Sequence, residues 1–223
     1  MADFELQRKN MVESQVRPSD ITDRRIMRAM LALPREVFAA DDTRALAYMD
    51  QQLPVGPRPT GAGRRALLSP RVFARLLQLA EIEDGDRVLE IATATGYGAA
   101  ILSRMARTVV ALDSNDGLAA LARKSMSDLS IGNVSIVTGP HSAGWRAEAP
   151  YAAIVLGGAV PEISPGLLDQ LQDGGRLAAV VGTGGVGQVM QWRRIGSTFA
   201  SRRVAEAGAP ALPGFERVPG FTF

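Results

Sequence analysis

LEIATATGYGAA, residues 89–100, runs an apolar strand into a turn of small residues and then into a helix. This is the context of a nucleotide-binding loop, although Ala92 and Ala94 stand where such loops carry glycine and only Gly96 keeps it. The next strand, TVVALD, ends in Asp113 about 20 residues on, the distance at which an acid accepts hydrogen bonds from both hydroxyls of a ribose. A strand-to-helix turn that binds nothing is the alternative. Outward from this stretch, VSIVT, YAAIVLGG and RLAAVVG read as further strands, with helices over about 116–129 and in SPGLLDQL, and Asp173-Gly174-Gly175 reads as a turn into RLAAVVG. Such alternation predicts a doubly wound, mostly parallel α/β sheet. QVMQWRRI and FASRRVAEA read as an antiparallel pair closing one edge.

A literal GxGxxG occurs at Gly182–Gly187, preceded by a strand but followed by another strand instead of a helix. It reads as a hairpin connection, and the nicotinamide-dependent oxidoreductase it would otherwise suggest rests on nothing else. Upstream, the chain is helical in pattern. Ile26, Met27, Met30, Leu31 and Leu33 recur at helical spacing behind Thr22, a candidate N-cap, until Pro34. After an irregular stretch through AYMDQQLPVG, the segment GPRPTGAGRR (56–65) reads as an exposed loop, and Ser69-Pro70 as a hydroxyl cap with proline at the first helical position.

A hydrophobic share of 46% allows a sizeable core, and no apolar run reaches the roughly 18 residues of a membrane span or resembles a secretion signal, so a cytoplasmic protein is expected. With no cysteine and the single histidine His141, disulfides, a cysteine nucleophile and a metal centre are not expected. A net charge of +2 argues against a nucleic-acid surface, and paired arginines such as Arg64-Arg65 read as solvated faces.

Several segments together, RKNMVESQVRPSDITDRRIMRAMLALPREVF (8–38), AYMDQQLPVG (47–56), LEIATATGYGAAIL, NVSIVTG and LLDQLQDGGRLAAVVG, resemble the protein-L-isoaspartate O-methyltransferases. The resemblance covers most of the chain. It implies a seven-stranded Rossmann-like methyltransferase sheet with an antiparallel edge, in one domain: an N-terminal helical extension and substrate-side loop over 1–66 and a core over 67–223. It implies S-adenosyl-L-methionine as cofactor and a protein or peptide bearing isoaspartyl residues as partner. By the same resemblance, the loop from Glu90 through Ala92, Thr93, Ala94 and Gly96 to Tyr97 would wrap the methionine portion. Asp113 would hold the ribose, and Pro140 and His141 would lie along the adenine.

The chain departs from the family pattern at Ala92 and Ala94 (usually glycine), Pro140 and Ala152 (usually aspartate), and Leu68, where the hydroxyl that engages the substrate carboxylate is expected. Its loop before Ser69 is also longer, by about six residues. Ser69, one position late, is either a helix cap or the displaced positioning group. His141 reads as a surface histidine, or as a partial replacement for the missing adenine contact. Methyl transfer to an ionised carboxylate needs no general base, so positioning and water exclusion are the main demands on the chain. The rival expectations are a degenerate, non-catalytic binding module and methyl transfer to RNA or a small molecule.

Overall fold

Seven strands form one sheet in a computed structural model that describes residues 3–56, 65–183 and 185–216. β3 (Arg87–Ile91), β4 (Thr108–Asp113), β5 (Val134–Thr138), β6 (Tyr151–Val160) and β7 (Leu171–Val181) run parallel. β8 (Gly185–Ile195) and β9 (Thr198–Ala209) follow as antiparallel neighbours, which makes the connection at Gly182–Gly187 a hairpin, as its sequence indicated. Gly184 itself lies outside the described residues. From β3 the chain builds outward to β4 and β5, then returns to add β6 and β7 on the other side. The strand order therefore reverses between β3 and β6, and in open α/β sheets that crevice is where ligands bind.

Both faces of the sheet are covered, which is why its strands read as continuous apolar runs. On one face Val88, Val109 and Ala111 pack under α2 (Arg24–Ala32), α3 (Pro70–Ala80), α4 (Tyr97–Leu102) and α5 (Asp116–Asp128); on the other, Leu89, Ile91, Val110 and Leu112 meet Leu167, Leu168 and Leu212. Because side chains alternate along a strand, Glu90 shares the first face with Val88, and Asp113 shares it with Ala111.

The N-terminal extension begins with α1 (Phe4–Met11), capped by Asp3, and widens into a π-helical turn at Val12–Val16. α2 buries Ile26, Met27, Ala29 and Met30, but its N-cap is Asp23, whose side chain accepts from the Arg25 amide at 2.8 Å. Thr22, the expected cap, instead donates its backbone N–H to Gln78 Oε1 of α3 at 2.6 Å. Leu53 and Pro54, in the stretch read as irregular, form β1 (Leu53–Pro54), which pairs antiparallel with β2 (Ala66–Leu67). Residues 57–64, most of GPRPTGAGRR and of the lengthened loop, lie outside the described residues.

Two further expectations are corrected. Asp173-Gly174-Gly175 lies inside β7 as a bulge, where the six residues from Leu171 to Arg176 lie opposite the three of β6 from Tyr151 to Ala153. The helix expected over SPGLLDQL is short, α6 at Pro165–Leu168, because Leu171 already belongs to the sheet.

Candidate functional site

The crevice between β3 and β6 is lined by the loop of the opening stretch. Ala92 and Thr93 donate their amides to Leu112 O at 2.8 and 3.1 Å, which folds the loop back over the end of β4. The backbone φ is 70° at Ala92 and 53° at Ala94, so both alanines hold the left-handed conformation that glycine would take at no steric cost, at about 1 kcal/mol or more each. Glycine is kept where contact forbids anything larger. A Cβ at Gly157 of β6 would sit 2.5 Å from Ala92 O, and one at Gly98 would sit 1.7 Å from Glu90 Oε1. Gly96, with φ of 95°, leads into α4, and the Thr95 hydroxyl donates to Phe38 O at 2.7 Å, tying the loop to the N-terminal extension.

Asp113, fully buried, is the best-connected acid of the site. Its Oδ2 accepts from the Ala94 amide at 2.8 Å and its Oδ1 from the Asn115 amide at 3.0 Å. Arg65 Nη1 and Nη2 add a bidentate pair, each at 3.3 Å. Burial alone would push the Asp113 carboxyl up, but His141, the Arg65 guanidinium and the Asn115 amide outweigh it and hold the group below its ordinary value.

His141 is not at the surface. It is fully buried, its Nε2 accepts from the Ser114 amide at 3.0 Å, its Nδ1 lies 3.2 Å from Pro213 O, and Nε2 is 3.7 Å from Asp113 Oδ1. The loop after β5 carries it there, turned by Pro140, which is itself exposed. Ala152, where an aspartate was expected, is buried within β6.

The same face carries a polar cluster of another kind. Glu90 is buried with Oε2 unpartnered, and burial, reinforced by the nearby Asp113 charge, pushes its carboxyl up to about 7. Thr93 Oγ1 and the Tyr97 hydroxyl are likewise buried without partners. Tyr97 stands edge-on to Phe38, with ring centroids 5.5 Å apart. The guanidinium carbon of Arg35 lies 4.6 Å from the centre of its ring. Sequence reading passed over Arg35, Arg65 and Thr95 as site residues. Arg35 carried a faint signal, a charge immediately after Pro34 and before the apolar Val37-Phe38.

Ser69 occupies the N-cap position of α3 and is buried, but its side chain makes no capping hydrogen bond. The α3 amide of Arg71 is instead taken by Asp50 Oδ1 at 3.3 Å, and Asp50 Oδ2 also pairs with Arg71 Nη2 at 2.9 Å. AYMDQQLPVG thus supplies the cap from a distance. Leu68 lines a small cavity together with Arg35, Glu90, Ala92, Thr93 and Tyr97.

A family model described as protein-L-isoaspartate(D-aspartate) O-methyltransferase matches residues 6–207. The chain belongs to this family. Among its relatives, the protein-L-isoaspartate O-methyltransferase of Koribacter versatilis is 38% identical over 180 residues, 81% of this chain and 78% of that one. That of Methanoculleus marisnigri is 39% identical over 79% of this chain and 77% of its own. In three dimensions, a solved protein-L-isoaspartate O-methyltransferase superposes with a TM-score of 0.81 at 23% identity, covering 93% of this chain and 67% of the other. A Plasmodium falciparum protein assigned the same name, in complex with S-adenosyl-L-homocysteine, gives 0.76 at 16% identity over 96% and 100%. The methyltransferases of this family use S-adenosylmethionine, and the seven-stranded sheet with its antiparallel edge is the family's fold. The residues at the crevice fit that cofactor: a buried acid at the end of β4, a glycine at the crevice whose Cβ would strike the loop, and unpartnered buried oxygens on Glu90 and Thr93. No helix among the described residues is long and apolar enough to cross a membrane, and no cluster among them could hold a metal ion.

Proposed function

We propose that this protein methylates isoaspartyl carboxylates of peptides and proteins, in the cytoplasm, as a single methyltransferase domain. The observation that carries the reading is Asp113, buried at the end of β4 beside the crevice where the strand order reverses and hydrogen-bonded to the Ala94 amide of the loop. When bound, S-adenosylmethionine supplies an electrophilic methyl group on a positively charged sulfur. Asp113 holds the ribose diol, and the loop from Glu90 to Tyr97 lines the methionine portion. The exposed Pro140 and the buried His141 bound the adenine side, although Pro140 brings no hydrogen-bonding side chain to it.

The acceptor carboxylate is already ionised near neutral pH, so no residue must take a proton from it. The chain has to place that oxygen in line and keep water out, and burial of the whole loop from Ala92 to Tyr97 serves the second task. Ser69, buried beside Leu68 at the start of α3, is the candidate positioning group, because its hydroxyl is not used to cap that helix. Incubation with methyl-labelled cofactor and an isoaspartyl peptide should give a base-labile methyl ester. The same peptide with ordinary aspartate should give none. Ester from neither peptide defeats the reading, and label appearing in RNA would redirect it.

A further inference from the structure

Arg35 is fully buried, and two of its three nitrogens are tied to backbone: Nε to Ala47 O and Nη2 to Leu68 O, both at 2.8 Å. The third, Nη1, is buried without a partner, and no carboxylate among the described residues forms an ion pair with Arg35. A buried cation with no counter-ion is costly, so it persists where the fold holds it for a ligand or where removing it would cost more. Arg35 lines a cavity of ≈ 20 Å³ together with Tyr97, Leu68, Ala92 and Gly157, the room one water-sized atom needs. The Tyr97 hydroxyl has no partner in hydrogen-bonding geometry either, and the Arg35 guanidinium, stacked over its ring, is the charge that faces it most closely, so the phenol's proton is directed away from the cation. A guanidinium N–H and a phenolic O–H, both short of an acceptor beside the cofactor loop, are the donor set that recognises a carboxylate oxygen.

We infer that Arg35, with Tyr97, is a carboxylate-binding site at the inner end of the crevice, anchoring a carboxylate of one of the two ligands of the methyl transfer. The inference rests on the proposed function for the identity of those ligands. Both offer the chemistry: the acceptor through its isoaspartyl carboxylate, the cofactor through its α-carboxylate. Leu68, at the position where a substrate-engaging hydroxyl was expected, lines the same cavity, and its side chain has no donor to offer. Glu90 and Thr93 also line it, so a carboxylate must enter on the Arg35 side and away from Glu90.

The test is a binding measurement and needs no turnover. Calorimetry on the wild-type protein compares S-adenosylhomocysteine with its α-carboxamide and, with S-adenosylhomocysteine present, an isoaspartyl peptide with its side-chain carboxamide. The expected result is a loss of about tenfold or more for one carboxamide, and the ligand that shows it is the source of the carboxylate. Arg35→Met should reduce that discrimination to within about twofold, and Arg35→Lys should restore part of it. A purely structural role for Arg35 lowers thermal stability and leaves the discrimination intact. The inference is overturned if neither carboxamide binds more weakly, if no ligand binds, or if the discrimination survives in a folded Arg35→Met. If that variant does not fold, Arg35→Lys takes its place, and discrimination unchanged from wild type in it overturns the inference. The proposed function stands or falls separately, on ester formation.

Discussion

At the scale of single residues, Asp113 carries the heaviest load and has no acceptor position to spare. Its two oxygens already take the Ala94 and Asn115 amides and both Arg65 terminal nitrogens, which fills the roughly four lone-pair positions of a carboxylate. A ribose diol therefore has to displace Arg65. Arg65→Ala should tighten S-adenosylhomocysteine binding by about fivefold or more in calorimetry, and weaker binding would mean that Arg65 holds the cofactor instead. Glu90 makes a second prediction. Its folded-state pKa of about 7 lies above the ordinary 4.5, so over that interval the folded state binds more protons than the unfolded one. Its contribution to stability is fully present below about pH 4.5 and is lost as pH rises through about 7, a change of about 3 kcal/mol. Denaturant titrations at about pH 5 and about pH 8 should show Glu90→Gln losing much less stability than wild type on going to the higher pH. Equal losses would mean that Glu90 does not titrate in that window.

At the scale of elements, the side-chain cap of α3 comes from a residue distant in sequence. Asp50, not Ser69, accepts from the first turn of α3. Asp50→Ala should cost about 1 kcal/mol in chemical denaturation, whereas Ser69→Ala should leave stability nearly unchanged and lower methyl transfer. The opposite pattern would return Ser69 to a capping role. The strands were legible because burial on both faces writes them as apolar runs, and the antiparallel edge because QVMQWRRI alternates. β1 and β2 were not legible, since two residues apiece carry no periodicity and their pairing bridges the Gly/Pro-rich segment. Thr22 and Asp23 are both good caps by residue type, and the choice between them depended on Gln78, which lies 56 residues from Thr22. The bulge at Gly174 depended on how β7 meets β6.

At the scale of the whole molecule, the candidate cofactor site follows from topology: starting the sheet at β3 and returning to add β6 puts the loop from Ala92 to Gly96 at the reversal of strand order. Sequence singled out that loop and Asp113 by context, and the fold brings both to the crevice. Sequence did not show that Arg35 lies buried beside the loop, because arginine is ordinarily exposed and its place between Pro34 and Val37-Phe38 is only a faint local mark. His141 was misplaced for a related reason: its burial is made by Ser114 and Pro213, the latter 72 residues away. The two positive-φ alanines are a strain that the fold absorbs, and they leave one central question, whether the loop still admits the cofactor. Calorimetric titration of S-adenosylhomocysteine into the wild-type protein and into Asp113→Asn tests this most directly. A roughly micromolar Kd in the wild type, weakened about tenfold or more in the variant, is the expected result. Absence of binding by the wild-type protein, or equal binding by the two, would contradict the account.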